Sequence, residues 1–150
     1  VIHPQSAIHS LVRFRDGQVM SQLGPRSMEV PIQHALTYPQ RRESPHMGFD
    51  IVGESPLTFE DPDLERFPCL ALAFEAARRG GTSPAVLSAA NEVAVAAFLD
   101  NRLPFGGIGK VVETVLVSHA TEKVDSVERA LAADGWAREE AGRLVSEGVY

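Results

Sequence analysis

Cysteine is nearly absent from this chain: Cys69 is the only one in 150 residues. That excludes an internal disulfide framework and any zinc site built on several thiolates, and it suits a reducing compartment. Cys69 sits in Phe67-Pro68-Cys69-Leu70-Ala71-Leu72, so it is expected to be a buried small hydrophobe rather than a nucleophile. Positive charge is also in deficit. The 14 Lys and Arg against 20 Asp and Glu leave a net charge of -6 and a pI near 5.3. Nucleic acids and membrane surfaces are anionic, so this balance argues against a general binder of either. The longest apolar run, Val93–Leu99, is far too short to span a bilayer. The start lacks a basic segment followed by an apolar one, so no secretory signal is visible. No initiator methionine precedes Val1-Ile2-His3-Pro4-Gln5-Ser6, and the chain reads as a piece of a longer frame. There is no Gly-x-Gly-x-x-Gly turn after a strand, no phosphate loop, and no tight carboxylate cluster for a hard divalent cation. Gly106-Gly107-Ile108-Gly109-Lys110 follows no strand and reads as a loop leading into a helix.

What is present divides into two halves. Between Ala7 and Leu23, Ile8, Ser10, Val12 and Phe14 alternate with His9, Leu11, Arg13 and Arg15, the period of a strand. Asp16-Gly17 predicts a two-residue hairpin turn, which would set Phe14 opposite Val19 and Val12 opposite Ser21. A lone hairpin is marginal in water, so this one is expected to extend a larger sheet. A short helix is expected over 31–37, with Pro31 in its first turn. From Pro39 to Pro68 prolines recur and periodicity vanishes, as in an extended connector, with Leu57-Thr58-Phe59 as an anchor or short strand.

The remainder is helical. Leu70, Ala73, Phe74 and Ala77 share one face, and Gly80-Gly81 ends that helix. Ser83-Pro84 reads as a cap with proline at the first helical position, opening a helix to about Asn101 that is apolar nearly all round. Ile108, Val111, Val112, Val115, Leu116 and His119 mark a third helix. Asp125 with Glu128 predicts a short fourth over 126–132, and Asp134 the cap of a fifth. The fold class expected is α+β, a hairpin and connector followed by a helical bundle. Residues 1–38 would close one domain, 39–63 connect, and 64–150 form the bundle.

The histidines are the natural place to look for chemistry. His3 and His9 flank Pro4-Gln5-Ser6, with no acid between them and no metal-ligand spacing. On residue chemistry alone either is more often a structural hydrogen-bonder than a catalyst. His34 and His46 read as exposed. His119, at a helix end, reads as a cation complementing the helix dipole. Asn91-Glu92 interrupts the most apolar helix, and the expected role is pairing free backbone groups.

Taken in order, several motifs are specific. Val1-Ile2-His3-Pro4-Gln5-Ser6, Ile8-His9-Ser10-Leu11-Val12, Asp16-Gly17, Gln22-Leu23-Gly24, Met28 and Pro31-Ile32 resemble the end of the catalytic domain of the 1-deoxy-D-xylulose 5-phosphate (DXP) reductoisomerase family. Leu57-Thr58-Phe59, Pro62-Asp63, Phe67-Pro68-Cys69-Leu70 and the run from Ala89 to Leu99 are similar to its C-terminal region. The resemblance implies an NADPH- and divalent-metal-dependent enzyme, using Mg2+ or Mn2+, that rearranges and reduces a sugar phosphate to methylerythritol phosphate for isoprenoid synthesis. It implies that NADPH and the metal bind residues preceding the stretch seen here, leaving no metal ligand in this chain. By the same resemblance His9 is catalytic, Ser6, His3 and Met28 are substrate-binding, and Met28 lies near the nicotinamide. A cytoplasmic homodimer formed through sheets of the catalytic domain is implied, with no nucleic-acid or membrane partner. One departure stands out: the family usually has Pro-Asp before the methionine, where this chain has Arg26-Ser27. The expectation is a fragment inactive alone. The alternatives are a stand-alone helical interaction module and a related reductase of different substrate preference.

Overall fold

The computed structural model describes residues 1–44 and 48–148, so His46 lies outside the described residues. The chain forms two compact units, Val1–Pro62 and Asp63–Tyr150. Its class is α+β, a two-stranded antiparallel hairpin and five helices among the described residues.

In the first unit, β1 (Ile8–Arg13) pairs with β2 (Val19–Leu23). The register is Val12↔Met20 and Arg13↔Val19, one residue off the pairing expected from a two-residue turn. The loop has three residues. Phe14 N–H donates to Gln18 O (2.8 Å), Gly17 N–H donates to Phe14 O (3.1 Å), and only Gly17 takes a positive φ, +91°. A two-residue turn of the expected kind needs positive φ at both central positions. Asp16 instead uses its carboxylate to accept the Gln18 N–H at 3.0 Å, which supports the longer loop. A bulge between Ile8 and Ser10 interrupts the alternation at His9. α1 runs over Glu29–Thr37, two residues earlier than expected. Ser27 Oγ accepts the Glu29 N–H at 3.1 Å at its start. This unit has almost no core: Ala7 is its one buried hydrophobic residue among those described, whereas Val12, Phe14, Val19 and Met20 are exposed.

The second unit is a bundle of four helices: α2 (Pro68–Arg79), α3 (Ser83–Leu99), α4 (Phe105–Ser118) and α5 (Val127–Glu147). α3 is central, packed chiefly on α5 and α4. Small residues set the approach: Ala89, Ala90, Ala94 and Ala97 on α3 and Ala133, Ala137 and Ala141 on α5 are all buried. Val86, Val111, Val112, Val115 and Leu144 fill the remaining space, each worth about 1.5–3 kcal/mol of burial.

Several expectations are corrected here. The fourth and fifth helices are one: α5 runs through Asp134-Gly135, because Ala133 and Ala137 on either side are buried in the core. Ser126, not Asp125, is its cap, accepting the Arg129 N–H at 3.3 Å. Ser83 does not cap α3. It is the first helical residue, and its hydroxyl bonds Thr121 Oγ1 at 2.7 Å. α3 is packed on several sides, by α2, α4 and α5. Asn91 and Glu92 lie on an exposed face, and Glu92 pairs with Arg138 of α5 at 2.7 Å instead of with backbone. On α2 the expected core stripe faces outward, Leu70 and Phe74 being exposed while Ala76 is buried. Cys69, in the first turn of α2, is exposed and is not a buried hydrophobe. The glycines at 106, 107 and 109 lie inside the first turns of α4, not in a loop before it.

Candidate functional site

The first unit carries the motif with histidines. His3-Pro4-Gln5-Ser6 is a turn in which the Ser6 N–H donates to His3 O at 3.0 Å. Ser6 leaves it at φ 49°, a left-handed conformation uncommon for a residue with a side chain. His3 is saturated. Its Nε2 accepts the Ala7 N–H at 3.1 Å, so Nδ1 carries the proton and donates to Thr58 O at 2.8 Å. The ring stacks on Phe59 at 4.8 Å, and Ile2 bridges Glu60 backbone to backbone. Thr58 also holds Gln5: its N–H donates to Gln5 Oε1 at 3.1 Å, and Gln5 Nε2 donates to Thr58 Oγ1 at 2.8 Å. The stretch 57–59 thus anchors the motif through both of its ends.

His9 is the bulged residue of β1, and bulges re-aim side chains beside functional sites. Its Nε2 lies 3.1 Å from both Gly24 O and Pro25 O. Two carbonyl acceptors require a proton on Nε2, which makes Nδ1 the basic nitrogen of the neutral ring. The Gly24 N–H returns to Ala7 O at 3.1 Å, closing the base of the bulge. His9, Ser6 and Met28 line one open cleft of about 770 Å³, together with the turn after β2 and Arg26 and Arg41. Met28, 69% exposed at the start of α1, supplies an apolar wall. His3 stands apart, on a smaller groove of about 270 Å³ that it shares with His9 and Phe59.

Sequence reasoning missed a tie made by one residue of this cleft. Arg26 Nε donates to Gln5 O, and its Nη2 pairs with Glu54 Oε2 at 2.6 Å. A separation of 28 residues between the partners leaves no local signal. His34 is half-buried rather than exposed, packing edge-on to Tyr38. Among the described residues no three His, Cys, Asp or Glu side chains come together as a metal site. No described helix is long and apolar enough to cross a membrane.

The second unit holds a pocket of about 350 Å³. Thr82, 1% exposed, is hydrogen-bonded through Oγ1 to His119 Nε2 at 2.7 Å, and it accepts the Glu122 N–H at 3.0 Å. His119 packs on Trp136 at 5.1 Å. Burial pushes the His119 pKa down, and the Glu122 carboxylate opposes this by a smaller amount. A neutral imidazole is therefore favoured, which corrects the expectation of a cation at the helix dipole.

A hairpin unit with an open cleft, followed by a four-helix unit, defines an α+β protein whose candidate chemistry lies on the first unit. The chain belongs to the DXP reductoisomerase family: the family model for the DXP reductoisomerase C-terminal domain matches residues 23–140. It is 52% identical over 149 residues to the 1-deoxy-D-xylulose 5-phosphate reductoisomerase of Moorella thermoacetica, covering 99% of this chain and 38% of that protein. The Ralstonia pickettii enzyme of the same name is 51% identical over 146 residues, 97% of this chain and 37% of that one. The Zymomonas mobilis reductoisomerase, solved with NADPH, superposes with a TM-score of 0.87 at 45% identity, covering 95% of this chain and 38% of its own. A DOX-P reductoisomerase solved with NADPH, fosmidomycin and magnesium gives 0.85 at 38% identity, with 96% and 38% covered. The chain thus spans well under half the length of the relatives it matches.

Proposed function

We propose that this chain is the C-terminal portion of an NADPH- and divalent-metal-dependent reductoisomerase that converts DXP to 2-C-methyl-D-erythritol 4-phosphate. The supporting observation is the convergence of Ser6, His9 and Met28 on one cleft in a chain of this family. In this reading they form one wall of the active site. His9, fixed by two carbonyls through Nε2, presents a basic nitrogen and acts catalytically at the sugar phosphate. Ser6 offers a hydroxyl to the substrate, and Met28 packs against its apolar side and the nicotinamide. His3 belongs to the motif as a substrate-site residue acting from behind, because both ring nitrogens are already engaged. Residues 1–38 close the catalytic domain, 39–63 connect, and 64–150 are the C-terminal bundle.

NADPH and Mg2+ or Mn2+ are held by the portion of the enzyme that precedes the matched stretch. When bound, they supply the hydride and the Lewis acid. The exposed Val12, Phe14, Val19 and Met20 support completion of the hairpin by a larger sheet, the one through which a cytoplasmic homodimer forms. The test is NADPH oxidation with DXP and Mg2+. The complete enzyme carrying this segment turns over, and His9→Gln lowers kcat by at least about a hundredfold, the usual scale of acid–base catalysis. The 150-residue chain alone is inactive. Turnover by the chain alone, or full activity of His9→Gln, refutes the reading.

A further inference from the structure

We infer that Arg26 is a positioning residue whose guanidinium, oriented by Glu54, holds the Gln5–Ser6 peptide and so sets the Ser6 hydroxyl against His9 across the cleft. The inference rests on the proposed active-site wall and names a part of it that acts from behind.

The geometry carries the argument. Ser6 is held at φ 49°, a conformation with an intrinsic penalty for any residue bearing a Cβ. Rotating Ser6 back to an ordinary φ would swing the Gln5–Ser6 peptide plane, and the Gln5 carbonyl would leave Arg26. That carbonyl accepts from Arg26 Nε, a charged donor, which makes the bond stronger than one between neutral groups. The guanidinium is planar, and its other edge is fixed by Glu54 Oε2 at 2.6 Å. The Gln5 side chain is pinned independently by Thr58. Gln5 is thus gripped at side chain and main chain by two points of one segment, Glu54 directly behind Arg26 and Thr58. Arg26 also lines the cleft with Ser6 and His9, so the brace and the groups it positions share one wall. The Pro-Asp that the family resemblance leads one to expect at 26–27 contains no guanidinium, so the brace belongs to this sequence.

Two readouts test it. In the complete protein, Arg26→Ala raises amide hydrogen exchange at Ala7 and Gly24, whose N–H groups close the turn and the bulge, by about tenfold. Exchange at Phe14, at the far end of the hairpin, does not change. In the complete enzyme Arg26→Ala lowers kcat/KM for DXP about tenfold, mostly through kcat, while the KM for NADPH is unmoved. Glu54→Gln gives a smaller loss, because the Arg26–Gln5 bond survives. The charge swap Arg26→Glu with Glu54→Arg restores the ion pair but puts no donor on the Gln5 carbonyl, and it does not rescue activity.

Unchanged exchange at Ala7 and Gly24 in Arg26→Ala overturns the inference, as does full recovery in the swap. Uniformly raised exchange across the unit, Phe14 included, overturns it in favour of plain destabilisation. If the complete wild-type protein shows no reductoisomerase turnover, the proposed function fails, while the exchange pattern still decides whether Arg26 braces Ser6.

Discussion

Two glycines inside helices should respond to alanine with opposite signs. At Gly109 in α4, an added Cβ would lie 2.9 Å from the ring carbon Cγ of Pro68 and 3.7 Å from Cys69 Sγ at the start of α2. The ring cannot swing away as a flexible side chain would. The insertion therefore pushes α2 off α4, an overpacking that costs about 1–3 kcal/mol. Against it stands the helix-propensity gain of Gly to Ala, about 0.5–1 kcal/mol. The net expected is a loss of roughly 1–2 kcal/mol. At Gly135, in the middle of α5, a Cβ would meet nothing within 4 Å. Only the propensity term remains there, a gain of about 0.5–1 kcal/mol.

For a unit of this size about 1 kcal/mol moves Tm by about 4–8 °C. Gly109→Ala should therefore melt roughly 4–16 °C below wild type, and Gly135→Ala roughly 2–8 °C above it. Circular dichroism at 222 nm reports mainly the bundle helices, and urea titration of the same variants gives the free energies. Pro68→Ala removes the obstructing ring, so the Pro68→Ala/Gly109→Ala pair should show a coupling of about 1 kcal/mol relative to the single variants. Additive single effects, or a Gly109→Ala variant as stable as wild type, would refute the packing argument.

His119 should titrate below the ordinary histidine value of about 6.5, as followed by its ring proton in NMR; a value at or above that refutes its burial as the dominant influence. Because the folded state disfavours the proton, the unfolded chain binds more of it as pH falls from about 6.5 through the folded pKa. The His119 contribution is therefore complete above that window and lost through it, and His119→Gln should flatten this part of the Tm profile. Thr82→Val removes the hydroxyl that serves both His119 Nε2 and the Glu122 N–H, and should cost about 1–3 kcal/mol in urea unfolding. Cys69, exposed in the first turn of α2, should react with a thiol reagent in the native chain to one equivalent, whereas a thiol that reacts only after denaturation would contradict that exposure.

Local chemistry explains which parts of this molecule can be read from sequence. The hairpin over 8–23, the helices ending at Gly80 and beginning near Ser83-Pro84, and the family itself follow from period, turn residues and motif order. These signals lie within a few residues of one another, and the physics that makes them is equally local. The cleft residues Ser6, His9 and Met28 were named by resemblance, and the chain geometry then placed them together.

Long-range packing decided the rest. The strand register slipped by one because a three-residue loop closes with a single left-handed glycine, a choice made by the ladder and not by Asp16-Gly17 alone. The outward face of α2 could not be read from Leu70, Ala73, Phe74 and Ala77. An apolar stripe states that something covers it without stating which neighbour does, and here Ala76 faces the bundle instead. α5 continues through Asp134-Gly135 because burying Ala133, Ala137 and Ala141 against α3 outweighs the propensity cost of one glycine. The grip of Arg26 on Gln5, and of Glu54 on Arg26, joins residues 21 and 28 positions apart. Sequence alone determined the family and the order of elements, since those are carried by short-range pattern. Tertiary structure alone decided what stands behind Ser6 and His9, since a hydrogen bond between distant segments exists only once the chain has folded to bring them together.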